Sequence, residues 1–321
     1  MKKTHLSILL GVISSIILIG AITWVYPSND DLWVENPFWN GLSELYIQTQ
    51  PTRISNMNMI ESVNATDSTL FIIGPSLDFS PETSRIIIDY ISRGGGLVLL
   101  DDFGTANKLL EALSIDVRFT GELLRDPIYR EKNSLMPKVE VKNITGVNRI
   151  VLNYPTTLTQ STNTQVLAYS SPLSYVTVSQ TDPPLDFYQS PIITRVRMGE
   201  GWVILVSDSS IFINSMIHKE DNQALLEYLA RGTVLIDEVH TQRSPLTYIK
   251  ETLSTYVKSL EYYEVRYLFV LLVTAGIMVP RKNGTNKTRD EVDELLIKHP
   301  EYDREELEWL QREKEKARSN N

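Results

Sequence analysis

The sequence predicts an α/β protein with a parallel-core sheet flanked by helices, a β-rich insertion, and a transmembrane helix at each end. Residues 69–73, 97–100, 202–206 and 233–236 are short, continuous apolar runs, the pattern of strands buried on both faces. Segments with helical spacing separate them, and strands joined by helical crossovers run parallel. Longer apolar runs with basic flanks lie near both termini.

Taken in order, residues 1–5 carry Lys2 and Lys3 ahead of an uncharged apolar run at 6–25. That run has the ~20 residues a bilayer-spanning helix needs. A cleaved signal peptide is the rival, but its apolar core is about 7–15 residues and ends at small residues. Here the run ends in Trp24, Val25, Tyr26 and Pro27. Residues 36–48 have helical spacing through Trp39, Leu42, Leu45 and Tyr46. A short strand follows at 51–55, then the buried strand 69–73. Ser80-Pro81-Glu82 opens a helix to about Arg93, because Ser caps and Pro suits the first helical position. Gly94-Gly95-Gly96 stops it, strand 97–100 follows, and residues 106–113 return to helix. The triple glycine precedes its strand, so it is a helix stop and not a phosphate loop.

From about 114 to 198 the pattern changes to short, partly alternating strands at 139–142, 149–152, 166–169, 175–179 and 192–197. This is the β-rich insertion, expected to be antiparallel in part. Strand 202–206 then leads through a polar loop to a helix capped by Asp221 or Asn222. Gly232 ends that helix before strand 233–236. Residues 245–260 are helical in character and lead into a second apolar run at 262–280. Tyr262, Tyr263 and Tyr267 supply an interfacial belt there, and Arg281, Lys282, Lys287 and Arg289 follow. A buried core helix is the alternative for this run. The polar tail, 281–321, carries capping boxes at Thr288/Glu291 and Asp303/Glu306.

Positive charge before the first span and after the second places both termini in the cytoplasm. The expected protein is a two-pass cell-membrane protein in contact with the lipid bilayer, with residues 26–261 outside. The chain has 321 residues, a net charge of -9 and no cysteine. The acidic balance argues against a nucleic-acid partner. The lack of Cys excludes disulfides, a thiolate nucleophile and Cys-ligated zinc.

Several blocks together resemble a known family: Asn36-Pro-Phe-Trp-Asn-Gly, Phe71-Ile-Ile-Gly-Pro, Arg93-Gly-Gly-Gly-Leu-Val-Leu-Leu-Asp-Asp-Phe-Gly-Thr, Gly199-Glu-Gly-Trp and Val234-Leu-Ile-Asp-Glu-Val-His. They resemble uncharacterised archaeal and bacterial membrane proteins grouped around a domain of unknown function, over roughly residues 36–240. The resemblance implies a fold similar to class I glutamine amidotransferases. It also implies partners, since such proteins are often encoded near MoxR-type ATPases and von Willebrand-type membrane proteins. It does not imply catalysis. An amidotransferase needs Cys on the turn after a central strand, and here that turn is Leu100-Asp101-Asp102-Phe103-Gly104.

The expected ligand-binding residues are Asp101, Asp102, Asp208, Ser209, Asp237, Glu238 and His240, all at the carboxyl ends of predicted strands. That edge of an open α/β sheet is where ligands bind. For any single Asp, ordinary turn and cap chemistry is the better explanation, and the site reading rests on the cluster as a whole. No catalytic residue and no cofactor are assigned, although a divalent cation would suit a carboxylate cluster. Ser76 lacks a G-x-S-x-G surround and is not assigned as a nucleophile. The expected function is a non-catalytic, membrane-anchored binding or assembly domain. The alternative is a metal- or carboxylate-dependent hydrolase of a cell-surface polymer.

Overall fold

The structure is a computed structural model that describes residues 25–178, 186–259 and 288–319, together with 11–12, 14–15, 18–21, 262 and 267. Two compact units divide the chain, residues 1–254 and 255–321. The first opens with α1 (Ser43–Thr49) and β1 (Thr52–Ile54), followed by β2 (Ser68–Ile73), α2 (Pro81–Ser92), β3 (Gly96–Leu100) and α3 (Ala106–Ala112). The insertion contributes β4 (Leu123–Arg125), β5 (Lys138–Val141), β6 (Arg149–Val151), β7 (Gln165–Tyr169), β8 (Tyr175–Thr177) and β9 (Pro191–Met198). The unit then closes with β10 (Gly201–Val206), α4 (Asn222–Leu229), β11 (Thr233–Asp237) and α5 (Pro245–Ser259), whose last residues pass into the second unit.

Nine strands form one mixed sheet in the order β1-β11-β2-β3-β10-β9-β7-β5-β6. The first five run parallel. From β10 outward the pairing is antiparallel, while β4 and β8 make a separate two-stranded ribbon. The fold is therefore mixed α/β, with a large, partly parallel sheet flanked by helices.

The uninterrupted apolar runs have a direct structural cause: both faces of the parallel strands are covered. Alternate residues of each strand enter different cores. Leu70, Ile72, Leu97, Leu99, Val203 and Leu205 pack with Ile87 and Ile91 of α2 and Leu109 and Leu110 of α3. Phe71, Ile73, Val98, Leu100, Ile204 and Val206 pack with Leu45 of α1 and Leu225, Leu226 and Leu229 of α4 on the other face. Truncating a fully buried residue such as Leu99 to Ala costs about 2–5 kcal/mol. The chain moves outward along the sheet over the first face and returns from β10 to β11 over the second. That keeps one crossover hand throughout. As a result β10 and β11 belong to one parallel sheet but are separated by β2 and β3.

Local chemistry sets the helix limits. The Ser80 hydroxyl accepts from the Thr83 N–H at 3.1 Å and caps α2. Gly232, at φ 62°, takes the left-handed conformation between α4 and β11. The helix predicted over 36–48 begins later, at Ser43. Asn36 prevents an earlier start: its Oδ1 accepts from the Phe38 N–H, and its amide donates to the Asp30 carbonyl and to Asn40 Oδ1. These local bonds hold 36–41 in turns. Trp39 is consequently exposed, whereas Leu42 and Leu45 are buried.

In the second unit, α6 (Thr288–Lys298) and α7 (Arg304–Ser319) are the two predicted tail helices. Asp303 Oδ1 accepts from the Glu305 N–H at 2.8 Å at the start of α7. Among the described residues no helix is long and apolar enough to cross a membrane. The spans predicted at 6–25 and 262–280 lie largely outside the described residues.

Candidate functional site: the carboxyl edge of the parallel sheet

Strands β2, β3, β10 and β11 run parallel, so the loops that follow them emerge at one edge. The ladder continues briefly past the strands: the Gly74 N–H donates to the Leu100 carbonyl and the Asp101 N–H to the Val206 carbonyl. The loops then bond one another. The Ser76 and Leu77 N–H groups donate to the His240 carbonyl at 2.9 and 3.0 Å, and the Thr105 N–H to the Pro75 carbonyl at 2.9 Å. The Ser76 hydroxyl accepts from the Gln242 N–H at 2.8 Å, which places it in loop structure.

Asp101 is buried and spends both oxygens on its own loop. Its Oδ1 accepts from the Asp102 and Gly104 N–H groups at 2.9 Å, and its Oδ2 from the Ala106 N–H at 3.0 Å, at the first residue of α3. Gly104 fits because a Cβ there would meet the Pro75 carbonyl oxygen and lie 2.6 Å from Asp101 Oδ1. Asp208 is buried in the same way. Its Oδ2 accepts from the Asn153 N–H at 2.6 Å, and its Oδ1 from the Ser210 N–H and hydroxyl at 2.8 and 2.9 Å. Between these two, Asp102 Oδ2 accepts from the Ser209 hydroxyl at 2.9 Å.

Among the described residues no cation forms an ion pair with this trio, and its acidity responds. Burial pushes the Asp101 carboxyl up to about 6, against the pull of its three N–H donors. Burial first, and then the Asp102 charge, push Asp208 up to about 7. Asp102 is also raised, chiefly by burial.

The β11 end divides into two further groups. Asp237 Oδ2 lies 2.7 Å from His240 Nδ1, and its Oδ1 accepts from the Val239 N–H at 2.8 Å. The buried His240 ring stacks on Phe79 with centroids 4.0 Å apart. Glu238 leaves the group altogether. It accepts from Arg53 Nε of β1 at 2.5 Å, and Arg53 also pairs with Glu35 and Glu251. Arg243 bonds Glu251 and the Glu238 carbonyl, and both guanidiniums lie over the buried Trp33 ring, at 5.3 Å for Arg53 and 5.2 Å for Arg243. Burial still leaves the Glu238 carboxyl above its usual range, despite Arg53.

The seven predicted residues thus share one sheet edge but form three separate groups. Asp101, Asp102, Asp208 and Ser209 are together, Asp237 pairs with His240, and Glu238 joins the arginine network. Among the described residues no group of three His, Asp or Glu side chains is arranged to hold a metal ion. Asp221, expected to cap α4, instead accepts from the Asn148 and Arg149 N–H groups at 2.7 and 3.0 Å and pins β6. Arg53, Phe79 and Asn153 belong to these groups but escaped sequence reasoning. Only the parallel register of β1 on β11, with Arg53 opposite Ile236, would have pointed to Arg53.

Comparison with solved structures yields distant similarities. The "mmIFT52 N-terminal domain" is 15% identical with TM-score 0.42, covering 54% of this chain and 77% of that one. A cytoplasmic protein of Salmonella typhimurium LT2 is 16% identical with TM-score 0.35, covering 54% and 75%. A β-galactosidase from Bacillus circulans sp. alkalophilus is 11% identical with TM-score 0.30, covering 49% of this chain but 22% of that one. No curated protein matches the sequence. The family described as a domain of unknown function (DUF4350) matches residues 35–230, more than half of the chain, and the chain belongs to that family.

Proposed function

We propose that this chain is a membrane-anchored, extracytoplasmic binding or assembly module whose carboxyl edge fixes loops and performs no chemistry. One observation carries this: both oxygens of Asp101 and of Asp208 accept hydrogen bonds from their own or adjoining loops. A general acid or base must reach a substrate proton, and withdrawing these carboxylates would leave buried N–H groups unpaired. The scaffold is amidotransferase-like, and with no cysteine it lacks that class's nucleophile. The apolar runs at 6–25 and 262–280 would anchor it in the bilayer, with the first unit outside and the tail in the cytoplasm. MoxR-type ATPases and von Willebrand-type membrane proteins are the proposed partners in the assembly.

A carboxylate-dependent hydrolase of a surface polymer is the alternative. Asp102 favours it, being only half-buried, raised in pKa and bonded to a serine hydroxyl. Incubating the full chain in detergent with isolated cell-envelope polymer separates the two. The assembly role predicts no turnover by the wild type. Turnover that disappears in Asp102→Asn or Ser209→Ala, with the fold intact, would establish the hydrolase instead.

A further inference from the structure

The antiparallel end of the sheet differs from its parallel core in having one open face. Along β5 the residues alternate: Val139 and Val141 are buried in the core, while Lys138, Glu140 and, just beyond, Lys142 face outward. Register sets Glu140 opposite Arg149 on β6 and opposite Tyr169 on β7. A row Arg149–Glu140–Tyr169 therefore crosses three strands, with Lys138 and Lys142 on either side.

Loops turn this face into a cavity of about 400 Å³. Tyr129 forms one wall, held by its N–H on Asp126 Oδ1 at 2.7 Å and by its carbonyl on the Lys138 N–H at 2.8 Å. Residues 170–172 and Gln189 form another, tied by the Gln189 amide on the Ser170 carbonyl at 3.2 Å. The volume falls in the lower part of the range for small-ligand sites, ~300–1,000 Å³.

The charges here are not equally occupied. Lys138 is committed to Glu131 at 2.9 Å and Glu220 at 2.8 Å. Among the described residues neither Lys142 nor Arg149 makes a side-chain ion pair. The nearby Asp221 accepts from backbone N–H groups, which hold its carboxyl below the usual range with a smaller contribution from the Arg149 charge. Three cations, of which Lys138 is already paired, one carboxylate and two tyrosine rings thus line one recess in a chain of net charge -9.

We propose that this cavity binds an acidic sugar, a saccharide unit carrying a carboxylate. Lys142 and Arg149 take the acid group in charge-assisted hydrogen bonds. Glu140 accepts from ring hydroxyls, and Tyr129 and Tyr169 pack on the apolar face of the ring. Glu140 decides the class. At the centre of the floor its charge calls for donors beside the bound acid group: a sugar ring carries several hydroxyls next to its carboxylate, an acidic side chain carries none, and a neutral sugar brings no acid group for the cations. The cavity is separate from the carboxyl edge, so this assignment does not rest on the assembly role.

The test is equilibrium dialysis of the full chain in detergent against four probes: galacturonate trimer, galactose trimer, glutamate trimer and inorganic phosphate. The galacturonate trimer should bind saturably and more tightly than the other three. Lys142→Ala and Arg149→Ala should each weaken it about tenfold while leaving the thermal midpoint unchanged, since both side chains are exposed. Glu140→Gln should improve binding of the glutamate trimer relative to the galacturonate trimer. The proposal is overturned if the galacturonate trimer does not bind, if the two alanine variants bind it as the wild type does, or if any other probe binds equally well. Equal binding of phosphate would mean a simple ion site, and equal binding of the glutamate trimer a peptide site.

Discussion

Asp208→Asn reports directly on how the carboxyl edge is built. The Asp208 carboxyl titrates near 3.8 when unfolded and at about 7 in the fold. Between those values the folded chain holds a proton that the unfolded chain has released, so stability falls as pH rises. About three pH units at ~1.4 kcal/mol each give a loss on the order of 4 kcal/mol, complete just above pH 7. Asn removes this dependence but turns either an oxygen or an amide toward the Asn153 N–H. With the oxygen kept on Ser210, the amide faces another donor, at a cost of about 1–3 kcal/mol. Asp208→Asn should therefore be less stable than the wild type near pH 4.5 and equal or more stable near pH 8. The difference between the two proteins should change by on the order of 3 kcal/mol across that interval, since part of the range lies below pH 4.5. Urea unfolding followed by tryptophan fluorescence, with the buried Trp33 as a reporter, measures it. Parallel pH profiles for the two proteins would refute the assignment of this buried carboxyl.

Other substitutions test the neighbouring groups. Asp101→Ala removes the acceptor of three N–H bonds at the start of α3 and should cost about 2–4 kcal/mol, read as a lower thermal midpoint. Arg53→Met strands the buried Glu238 and should cost about 3–5 kcal/mol, and adding Glu238→Gln should restore much of it, as a double-mutant cycle would show. Calcium, magnesium or manganese should leave the midpoint of the wild type unchanged, because N–H donors already occupy the oxygens of Asp101 and Asp208. A cation-dependent rise would contradict that.

Much of the scaffold was legible because burial on both faces writes itself as continuous apolar runs. Residues 69–73 and 97–100 fall within β2 and β3, with an end residue added to each. The Ser80-Pro81 start and the Gly232 stop were equally direct, since cap chemistry is local. The loops of the carboxyl edge followed once the strands were parallel. What the sequence did not reveal depends on contacts distant along the chain. Asn153, in the insertion, donates to Asp208 55 residues away, and Arg53 reaches Glu238 across 185. No spacing rule encodes either contact. The late start of α1 was hidden for the opposite reason: Asn36 bonds its own turn, and the helical spacing of Trp39 and Leu42 carries no trace of that competition.

Cross-linking the full chain in its native membranes, followed by identification of the attached proteins, tests the central claim most directly. The assembly role predicts cross-links to MoxR-type ATPase or von Willebrand-type membrane components, retained in Asp102→Asn and Asp208→Asn. A chain that cross-links to none of them, while cleaving envelope polymer with an activity that Asp102→Asn abolishes, would contradict it.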